Sequence, residues 1–96
     1  MSELNFLTEL EAVIADRLSA PNENSYTARL AQSGALGVAQ KLGEEGVETA
    51  LAAVAEDRER LVSEAADLLY HLLVLLKLRE AALADVVAEL ERRHKG

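Results

Sequence analysis

The chain has 96 residues, of which half are apolar and 3% aromatic, and it carries a formal net charge of -7 and no cysteine. This length predicts a single domain over residues 1–96, and the acidic balance argues against nucleic-acid binding, which would need a basic patch. The lack of cysteine excludes disulfides and thiolate chemistry. The sequence has no signal-peptide pattern and no apolar stretch long enough for a bilayer, so we expect a cytoplasmic protein with no membrane partner.

The spacing of apolar residues predicts an all-α fold, an antiparallel helical bundle of four main helices plus one short helix. The first helix is expected over residues 5–19, and the breaker cluster Ala20-Pro21-Asn22-Glu23-Asn24 should end it. Ser25 should cap a short second helix that continues to about Ala31. The Ser33-Gly34 pair should break that helix.

The third helix is expected over residues 35–56. Its three glycines each cost roughly 1 kcal/mol relative to alanine in a helix interior. They indicate either the close approach of another backbone or a bulky ligand, or simply a place where two helices touch. We assign its apolar face to five residues: Val38, Leu42, Val47, Leu51 and Val54.

The fourth helix is expected over residues 59–79, after a turn at Asp57-Arg58. Residues 68–78 are apolar on nearly every side, as in a helix that is buried all round, and one small bundle can hardly surround such a helix. We therefore expect a second subunit to cover the remaining face, in a homodimer or higher homo-oligomer. The last helix, over residues 84–94, should turn Val86, Val87 and Leu90 inward.

Five carboxylates fall on two of these helices, Glu44, Glu45 and Glu48 on the third and Glu64 and Asp67 on the fourth. Residues three or four apart share a helix face, and like charges at that spacing cost roughly 0.2–0.5 kcal/mol per pair. If the two clusters face each other, a hard cation removes the repulsion, and Mg²⁺ prefers oxygen ligands. The pattern predicts a magnesium site between two helices, with two solvated acidic faces as the alternative.

These carboxylates form the pattern E-E-x-x-E, a gap of fifteen residues, then E-x-x-D, which resembles the MazG-like all-α nucleoside triphosphate pyrophosphohydrolases. One branch of that superfamily, the phosphoribosyl-ATP pyrophosphatases, is resembled more closely, over nearly the whole chain from Phe6 to His94. Gly46, where alanine would be more usual, is a small departure. The similar blocks are Ser25-Tyr26-Thr27, Gln40-Lys41-Leu42-Gly43-Glu44-Glu45, Ser63-Glu64-Ala65-Ala66-Asp67-Leu68-Leu69-Tyr70-His71 and Glu91-Arg92-Arg93-His94.

The resemblance implies Mg²⁺-dependent hydrolysis of phosphoribosyl-ATP between its α and β phosphates, the second step of histidine biosynthesis. The products are phosphoribosyl-AMP and pyrophosphate. Many relatives are fused to a cyclohydrolase that uses cysteine and histidine for zinc, and this cysteine-free chain looks like the stand-alone form. Two alternatives stay open: a house-cleaning pyrophosphohydrolase of other nucleoside triphosphates, and a helical oligomerisation module with no activity. A substrate panel tests the first, and Mg²⁺ calorimetry tests the second.

The resemblance also assigns roles to the five carboxylates. Glu45, Glu48, Glu64 and Asp67 are the implied metal ligands. Glu44 is the implied catalytic carboxylate, which either binds a second ion or orients the attacking water as general base. The sequence alone does not choose between these two roles.

Six further residues are candidates for substrate binding: Lys41, Ser25, Tyr26, Thr27, Arg29 and His71. Lys41 would contact phosphate oxygens, or it would form an ordinary helix salt bridge. The Ser25-Tyr26-Thr27 segment starts a helix and could offer N–H groups to an anion, or it could be a cap beside a packed tyrosine. His71 would bind substrate or a ligand carboxylate, or it would be a satisfied core histidine. For the ribose phosphate we favour Arg29 with that segment over the C-terminal Arg92-Arg93-His94.

Overall fold

The computed structural model describes residues 3–19 and 25–95, and five α-helices make up most of that part of the chain. They are α1 (Asn5–Ser19), α2 (Tyr26–Gln32), α3 (Gly34–Ala55), α4 (Arg58–Leu78) and α5 (Leu83–Lys95). The predicted all-α class is confirmed, and each predicted helix agrees with its observed bounds to within one residue. The breaker cluster predicted at residues 20–24 lies outside the described residues.

The two long helices, α3 and α4, form an antiparallel hairpin, which is the most extensive helix pair in the structure. Only Glu56 and Asp57 connect them, so α4 has to run back along α3. Asp57 caps α4, because its carboxylate accepts a hydrogen bond of 2.8 Å from the backbone N–H of Arg60. The hairpin therefore places the second half of α3 beside the first half of α4, the two segments that carry the predicted metal ligands.

The hydrophobic core lies where α1, α3 and α4 meet. Ile14 of α1, Val38 of α3, and Leu73 and Val74 of α4 are fully buried there. Burying a side chain of this size contributes about 1.5–3 kcal/mol, so this cluster fixes the three helices relative to one another. Partly buried side chains pack against it: Leu7, Leu10, Leu18, Leu30, Leu69, Tyr70, Leu75, Leu78 and Leu83.

The break predicted between the second and third helices is confirmed at Ser33-Gly34. The backbone N–H of Ser33 donates to the carbonyl of Leu30 at 3.0 Å and closes α2. Gly34 follows with a φ of 74°, in the left-handed region that glycine enters without a steric penalty. The chain therefore turns sharply into α3 and carries α2 against the hairpin.

Helix α4 ends in a left-handed residue that is not glycine. Glu80 has a φ of 58°. Its N–H donates to the carbonyl of Lys77 at 3.0 Å, and the N–H of Ala81 donates to the carbonyl of Leu76 at 2.8 Å. This pair of hydrogen bonds is the Schellman arrangement that satisfies the last carbonyls of a helix.

Helix α5 is attached through its first turn. The carboxylate of Glu11 in α1 accepts a hydrogen bond of 2.8 Å from the backbone N–H of Leu83. Asp85 accepts another, of 2.9 Å, from the N–H of Ala82. Acidic side chains at a helix N-terminus satisfy its free N–H groups and suit its dipole, so the two carboxylates fix where α5 begins.

The single apolar face assigned to the third helix is wrong, because its five residues lie on opposite faces. Val38 and Val47 are nine residues apart, about two and a half helical turns, so they point in opposite directions. Val38 is fully buried, whereas Val47, Leu51 and Val54 are 61%, 59% and 88% exposed. Helix α3 thus packs on the hairpin side and leaves a second apolar stripe without cover in the described chain.

The apolar stretch at residues 68–78 is only partly covered within the single chain, as expected for one small bundle. His71, Leu73 and Val74 are buried, and the leucines around them are half-buried rather than enclosed. In the last helix, Val86 is half-buried as predicted, but Val87 and Leu90 are 46% and 48% exposed. None of the helices described in residues 3–19 and 25–95 is both long enough and apolar enough to cross a membrane.

The glycines inside α3 do not all mark close packing. A β-carbon at Gly46 would lie 3.9 Å from Cδ1 of Leu68, an ordinary contact, and one at Gly43 would meet nothing within 4 Å. At Gly37 it would overlap the side chain of Ser33. Close approach therefore accounts for Gly37, whereas the packing of the described chain does not require a glycine at 43 or 46.

Candidate active site

The hairpin brings three of the five predicted carboxylates together. Glu45 and Glu48 of α3 and Glu64 of α4 each place one carboxylate oxygen within 4.8 Å of the other two. Glu45 and Glu64 are 5% and 6% exposed, whereas Glu48 is open to solvent. This is a set of hard oxygen donors at the edge of the hairpin. It suits a divalent cation such as Mg²⁺, which keeps some positions for water or phosphate.

The pKa of Glu45 shows the electrostatic cost of bringing these carboxylates together. Burial raises the pKa of the Glu45 carboxyl, and a hydrogen bond with Glu48 and the charges of Glu48 and Asp67 raise it further. The charge of Lys41 acts in the opposite direction. Each cause that raises this pKa disfavours the ionised form, and a bound cation would reverse that balance. The donor set therefore fits the predicted magnesium ion.

The other two predicted carboxylates, Asp67 and Glu44, lie beside this cluster. Asp67 is exposed, one turn beyond Glu64, and its charge acts on Glu45, although it is not one of the three whose oxygens converge. Glu44 is exposed next to Glu45, and neighbouring residues of a helix point in different directions. The charge of Asp67 therefore acts at the cluster, whereas Glu44 is beside it in sequence and outside the convergent set.

Lys41 is the cation on the α3 side of the site. It is half-buried one turn before Glu45, and its charge offsets part of the rise that burial causes in the pKa of both the Glu45 carboxyl and the Tyr26 hydroxyl. An ammonium in that position favours the ionised carboxylates. It could also contact a phosphate oxygen brought in with the metal.

A hydrogen-bonded pair joins α2 to α4 next to the carboxylates. Oη of Tyr26 lies 2.6 Å from Nε2 of His71, and Nδ1 of His71 lies 2.7 Å from the carbonyl oxygen of Asp67. A carbonyl only accepts, so Nδ1 carries a proton, and in the neutral ring Nε2 accepts from the Tyr26 hydroxyl. His71 is 4% exposed and both its nitrogens have partners. The geometry is that of a satisfied histidine that holds α2 in place.

A second pair strengthens the same junction. The hydroxyl of Thr27, which is fully buried, is hydrogen-bonded to the hydroxyl of Tyr70. Ser25 caps α2, since its Oγ accepts a hydrogen bond of 2.9 Å from the N–H of Ala28. Tyr70 was not among the predicted site residues. Its place directly before His71, within one of the blocks similar to the family, was the available signal.

The side chain of Tyr26 is only partly enclosed by this junction. It is 43% exposed, and burial raises the pKa of its hydroxyl, with the charges of Glu45 and Asp67 among the lesser causes that raise it too. Those carboxylates are therefore close enough to Tyr26 to act on it. The exposed part of its ring faces solvent near the cluster, so contact with a substrate is compatible with the hydrogen bond to His71.

Arg60 is a neighbour of the cluster that the sequence analysis missed. Its Nη2 lies 3.0 Å from Oε2 of Glu64, and its Nε lies 3.4 Å from Oε1 of Glu56. Glu64 is four residues after Arg60 in the same helix, a spacing at which side chains meet, so that pair was open to prediction, whereas Glu56 lies outside α4 as the C-cap of α3. One of the three clustered carboxylates is thus already paired with a cation.

Two groups of basic residues are the candidate anchors for the ribose phosphate. Arg29 is exposed on α2, three residues after Tyr26. The C-terminal cluster lies on exposed α5, where Glu89 pairs with both Arg92 and Arg93. The guanidinium groups of these two arginines hold the pKa of the Glu89 carboxyl below its usual value. A phosphate at α5 would therefore compete with an existing carboxylate.

Fold and site together define an all-α protein that carries a carboxylate cluster, suited to a divalent cation and phosphate, on a helical hairpin. The family model for phosphoribosyl-ATP pyrophosphohydrolase matches residues 7–94. The chain belongs to this family, so the predicted resemblance is confirmed.

Individual relatives agree with the family. The chain is 63% identical over 89 residues to the phosphoribosyl-ATP pyrophosphatase of Pyrobaculum calidifontis, covering 93% of this chain and 95% of that protein. It is 54% identical over 87 residues to the protein of the same name from Rhizobium johnstonii, covering 91% and 81%. It also matches the histidine biosynthesis bifunctional protein HisIE of Yersinia pestis at 52% over 94 residues, covering 98% of this chain and 46% of that protein.

Proposed function

We propose that this chain hydrolyses phosphoribosyl-ATP between its α and β phosphates to give phosphoribosyl-AMP and pyrophosphate, a step of histidine biosynthesis. The observation that carries the proposal is the family match over residues 7–94, together with relatives named phosphoribosyl-ATP pyrophosphatase that align over most of both chains. The single domain over residues 1–96 and the cytoplasmic location stay predictions that belong to the same proposal.

The cofactor we propose is Mg²⁺, held by Glu45, Glu48, Glu64 and Asp67. The convergence of three of these carboxylates and the proximity of the fourth support this set. Bound Mg²⁺ would neutralise charge on the phosphates and stabilise the departing pyrophosphate. The hairpin positions the carboxylates in advance, so their mutual repulsion is part of what a cation relieves on binding.

The remaining chemistry falls to residues on the open side of the cluster. Glu44 is proposed to orient the attacking water or accept its proton, because it is exposed beside Glu45 and outside the convergent set. Lys41, one turn earlier, is proposed to pair with a phosphate oxygen, since its charge already acts on the cluster. Catalysis of phosphoryl transfer depends mainly on such positioning and charge neutralisation.

Helix α2 is proposed to form one wall of the substrate site. Tyr26 would contact the substrate with its exposed ring edge, while His71 and the buried Thr27 would hold α2 in position. Ser25 would act mainly as the helix cap seen here.

Arg29 is proposed to bind the ribose phosphate, so Arg29→Ala should raise KM for phosphoribosyl-ATP more than for a plain triphosphate. Arg92→Ala is the matched control, and the reverse pattern would move this phosphate to α5.

We also propose that two copies associate through their apolar faces. The half-buried leucines of residues 68–78 and the exposed stripe of α3 support this, because a second copy would remove their apolar surface from water. Val62 of α4, 53% exposed, adds to the apolar surface of the hairpin. A second copy of the chain is the occupant we propose.

A substrate panel tests the proposed activity against the house-cleaning alternative. The purified chain would be incubated with Mg²⁺ and phosphoribosyl-ATP, with ATP, or with damaged nucleoside triphosphates, and pyrophosphate release would be measured. We expect phosphoribosyl-ATP to be hydrolysed with the highest kcat/KM. Faster hydrolysis of a damaged triphosphate would support the alternative and overturn the assignment.

A further inference from the structure

The side chain of Arg60 stands between two carboxylates with very different surroundings. Glu64, at 3.0 Å, has a side chain only 8% exposed, whereas Glu56, at 3.4 Å, has a side chain 47% exposed. Arg60 itself is 57% exposed, so its guanidinium can move without crossing packed atoms. Glu56 is the C-cap of α3 and Glu64 lies within α4. The two ion pairs of Arg60 therefore connect the hairpin turn to the first part of α4.

Glu64 is buried beside the carboxylates of Glu45 and Glu48, and the guanidinium of Arg60 is the cation with which it forms an ion pair. A divalent cation at the cluster would take over this role. It would also repel the guanidinium across a short distance, whereas Glu56 would continue to attract it.

We propose that Arg60 is a counter-ion that responds to the metal: it pairs with both Glu64 and Glu56 when no divalent cation is bound, and it releases Glu64 and keeps Glu56 when one is. Arg60 is then a positioning residue that keeps the empty cluster folded and sets how tightly the cation binds. The proposal rests on the magnesium site of the proposed function. On this proposal, residues at the turn of the hairpin control how tightly the metal binds.

The two partners of Arg60 should affect Mg²⁺ binding in opposite directions. Arg60→Gln removes the competitor for Glu64 and a repulsive charge, so Mg²⁺ should bind about threefold more tightly. Glu56→Gln removes the other partner, so Arg60 stays on Glu64 and Mg²⁺ should bind about two- to threefold more weakly. In the double variant, the effect of Glu56→Gln should largely disappear, because Glu56 acts through Arg60.

Isothermal titration with Mg²⁺ alone tests this, with wild type, Arg60→Gln, Glu56→Gln and the double variant compared at low ionic strength. Arg92→Gln is the matched control, since it removes the same charge from exposed ion pairs with Glu89 and should leave Mg²⁺ affinity unchanged. Thermal unfolding in a chelator is the second readout. There Arg60→Gln should lower Tm by roughly 2–5 °C, because Glu64 loses its partner.

The results separate this proposal from the metal site on which it rests. Tighter binding in Arg60→Gln, weaker binding in Glu56→Gln and coupling between them support the counter-ion role. If Arg60→Gln binds Mg²⁺ as tightly as wild type or more weakly while Glu64→Gln abolishes binding, the metal site stands and the counter-ion role is overturned. If wild type and Glu64→Gln give the same Mg²⁺ titration, the metal site is overturned and the counter-ion role with it.

Discussion

The hydroxyl of Tyr26 is hydrogen-bonded to Nε2 of His71 at 2.6 Å, across 45 positions of the chain. This bond holds α2, which carries a proposed wall of the substrate site, against α4, which carries Glu64 and Asp67. His71 is buried and uses its other nitrogen on the carbonyl of Asp67. Loss of the tyrosine hydroxyl would therefore leave a buried nitrogen without its partner.

Tyr26→Phe should lower the free energy of unfolding by about 1–2 kcal/mol, because an unsatisfied buried group costs more than the bond alone contributes. Thr49→Val is the control. Its hydroxyl donates only to the carbonyl of Glu45 one turn earlier in the same helix, so its loss should be nearly neutral. Urea unfolding followed by circular dichroism measures both. Equal stability of Tyr26→Phe and wild type would show that the hydrogen bond does not hold α2.

The raised pKa of Glu45 predicts how metal-free stability depends on pH. A carboxyl whose folded pKa lies above its unfolded value contributes stability that is complete at low pH and is lost as pH rises through the folded pKa. The metal-free chain should therefore become more stable as pH falls from 7 toward about 5. At lower pH, carboxyl groups such as Glu89, whose pKa is lowered in the folded chain, lose their stabilising contribution as they are protonated.

The measurement is thermal unfolding in a chelator at several pH values for wild type, Glu45→Gln and Glu44→Gln. The rise in Tm between pH 7 and about 5 should be clearly smaller in Glu45→Gln, which cannot ionise, and unchanged in Glu44→Gln. Saturating Mg²⁺ should suppress the rise in wild type, because the cation favours the ionised form. An equal rise in all three proteins would contradict the electrostatic account of the cluster.

Glu80 gives a prediction independent of the site. Its φ of 58° is left-handed, a conformation that costs a non-glycine residue roughly 1 kcal/mol and glycine almost nothing. Glu80→Gly should therefore stabilise the chain by about 0.5–1 kcal/mol. Glu59→Gly, in the first turn of α4, should destabilise it by a similar amount. A shift of the urea midpoint to lower concentration in Glu80→Gly would contradict this account of the helix end.

Local pattern predicted the helices well, because their signals lie within a few residues. The helix bounds followed from apolar spacing and breakers, and the predicted break at Gly34 followed from its freedom at positive φ. Spacing predicted that the carboxylates of each helix share a face, whereas the choice of Glu45, Glu48 and Glu64 as ligands came from the family resemblance.

Other features could not be predicted so easily. The bond between Tyr26 and His71 joins distant parts of the chain, and no local period indicates it. The error on α3 arose because that helix is apolar on two sides, so a list of apolar residues does not say which stripe packs inward. For Arg60, the pair with Glu64 was open to prediction because the two residues lie four apart in one helix, but the pair with Glu56 depends on how the chain turns between α3 and α4.

The exposed apolar stripe of α3 predicts a concentration-dependent dimer. Val54 is 88% exposed in the single chain, so Val54→Glu should leave the fold intact but should place a charge at the proposed subunit contact. Sedimentation should then show a dimer for wild type and a monomer for this variant. Val13→Glu, at a 40% exposed position on α1, is the control and should remain dimeric. A monomeric wild type would overturn the proposed association.

The central claim is that the carboxylates of the α3–α4 hairpin hold the metal that supports hydrolysis of phosphoribosyl-ATP. Pyrophosphate release at saturating Mg²⁺ is the most direct test. It would be measured in wild type, Glu48→Gln, Asp67→Asn and the control Glu59→Gln, which removes an exposed carboxylate of α4 outside the cluster. We expect turnover to fall by at least about two orders of magnitude in Glu48→Gln and Asp67→Asn, with helical circular dichroism unchanged, and to persist in Glu59→Gln. Wild-type rates in both Glu48→Gln and Asp67→Asn would show that the reaction takes place elsewhere on the chain.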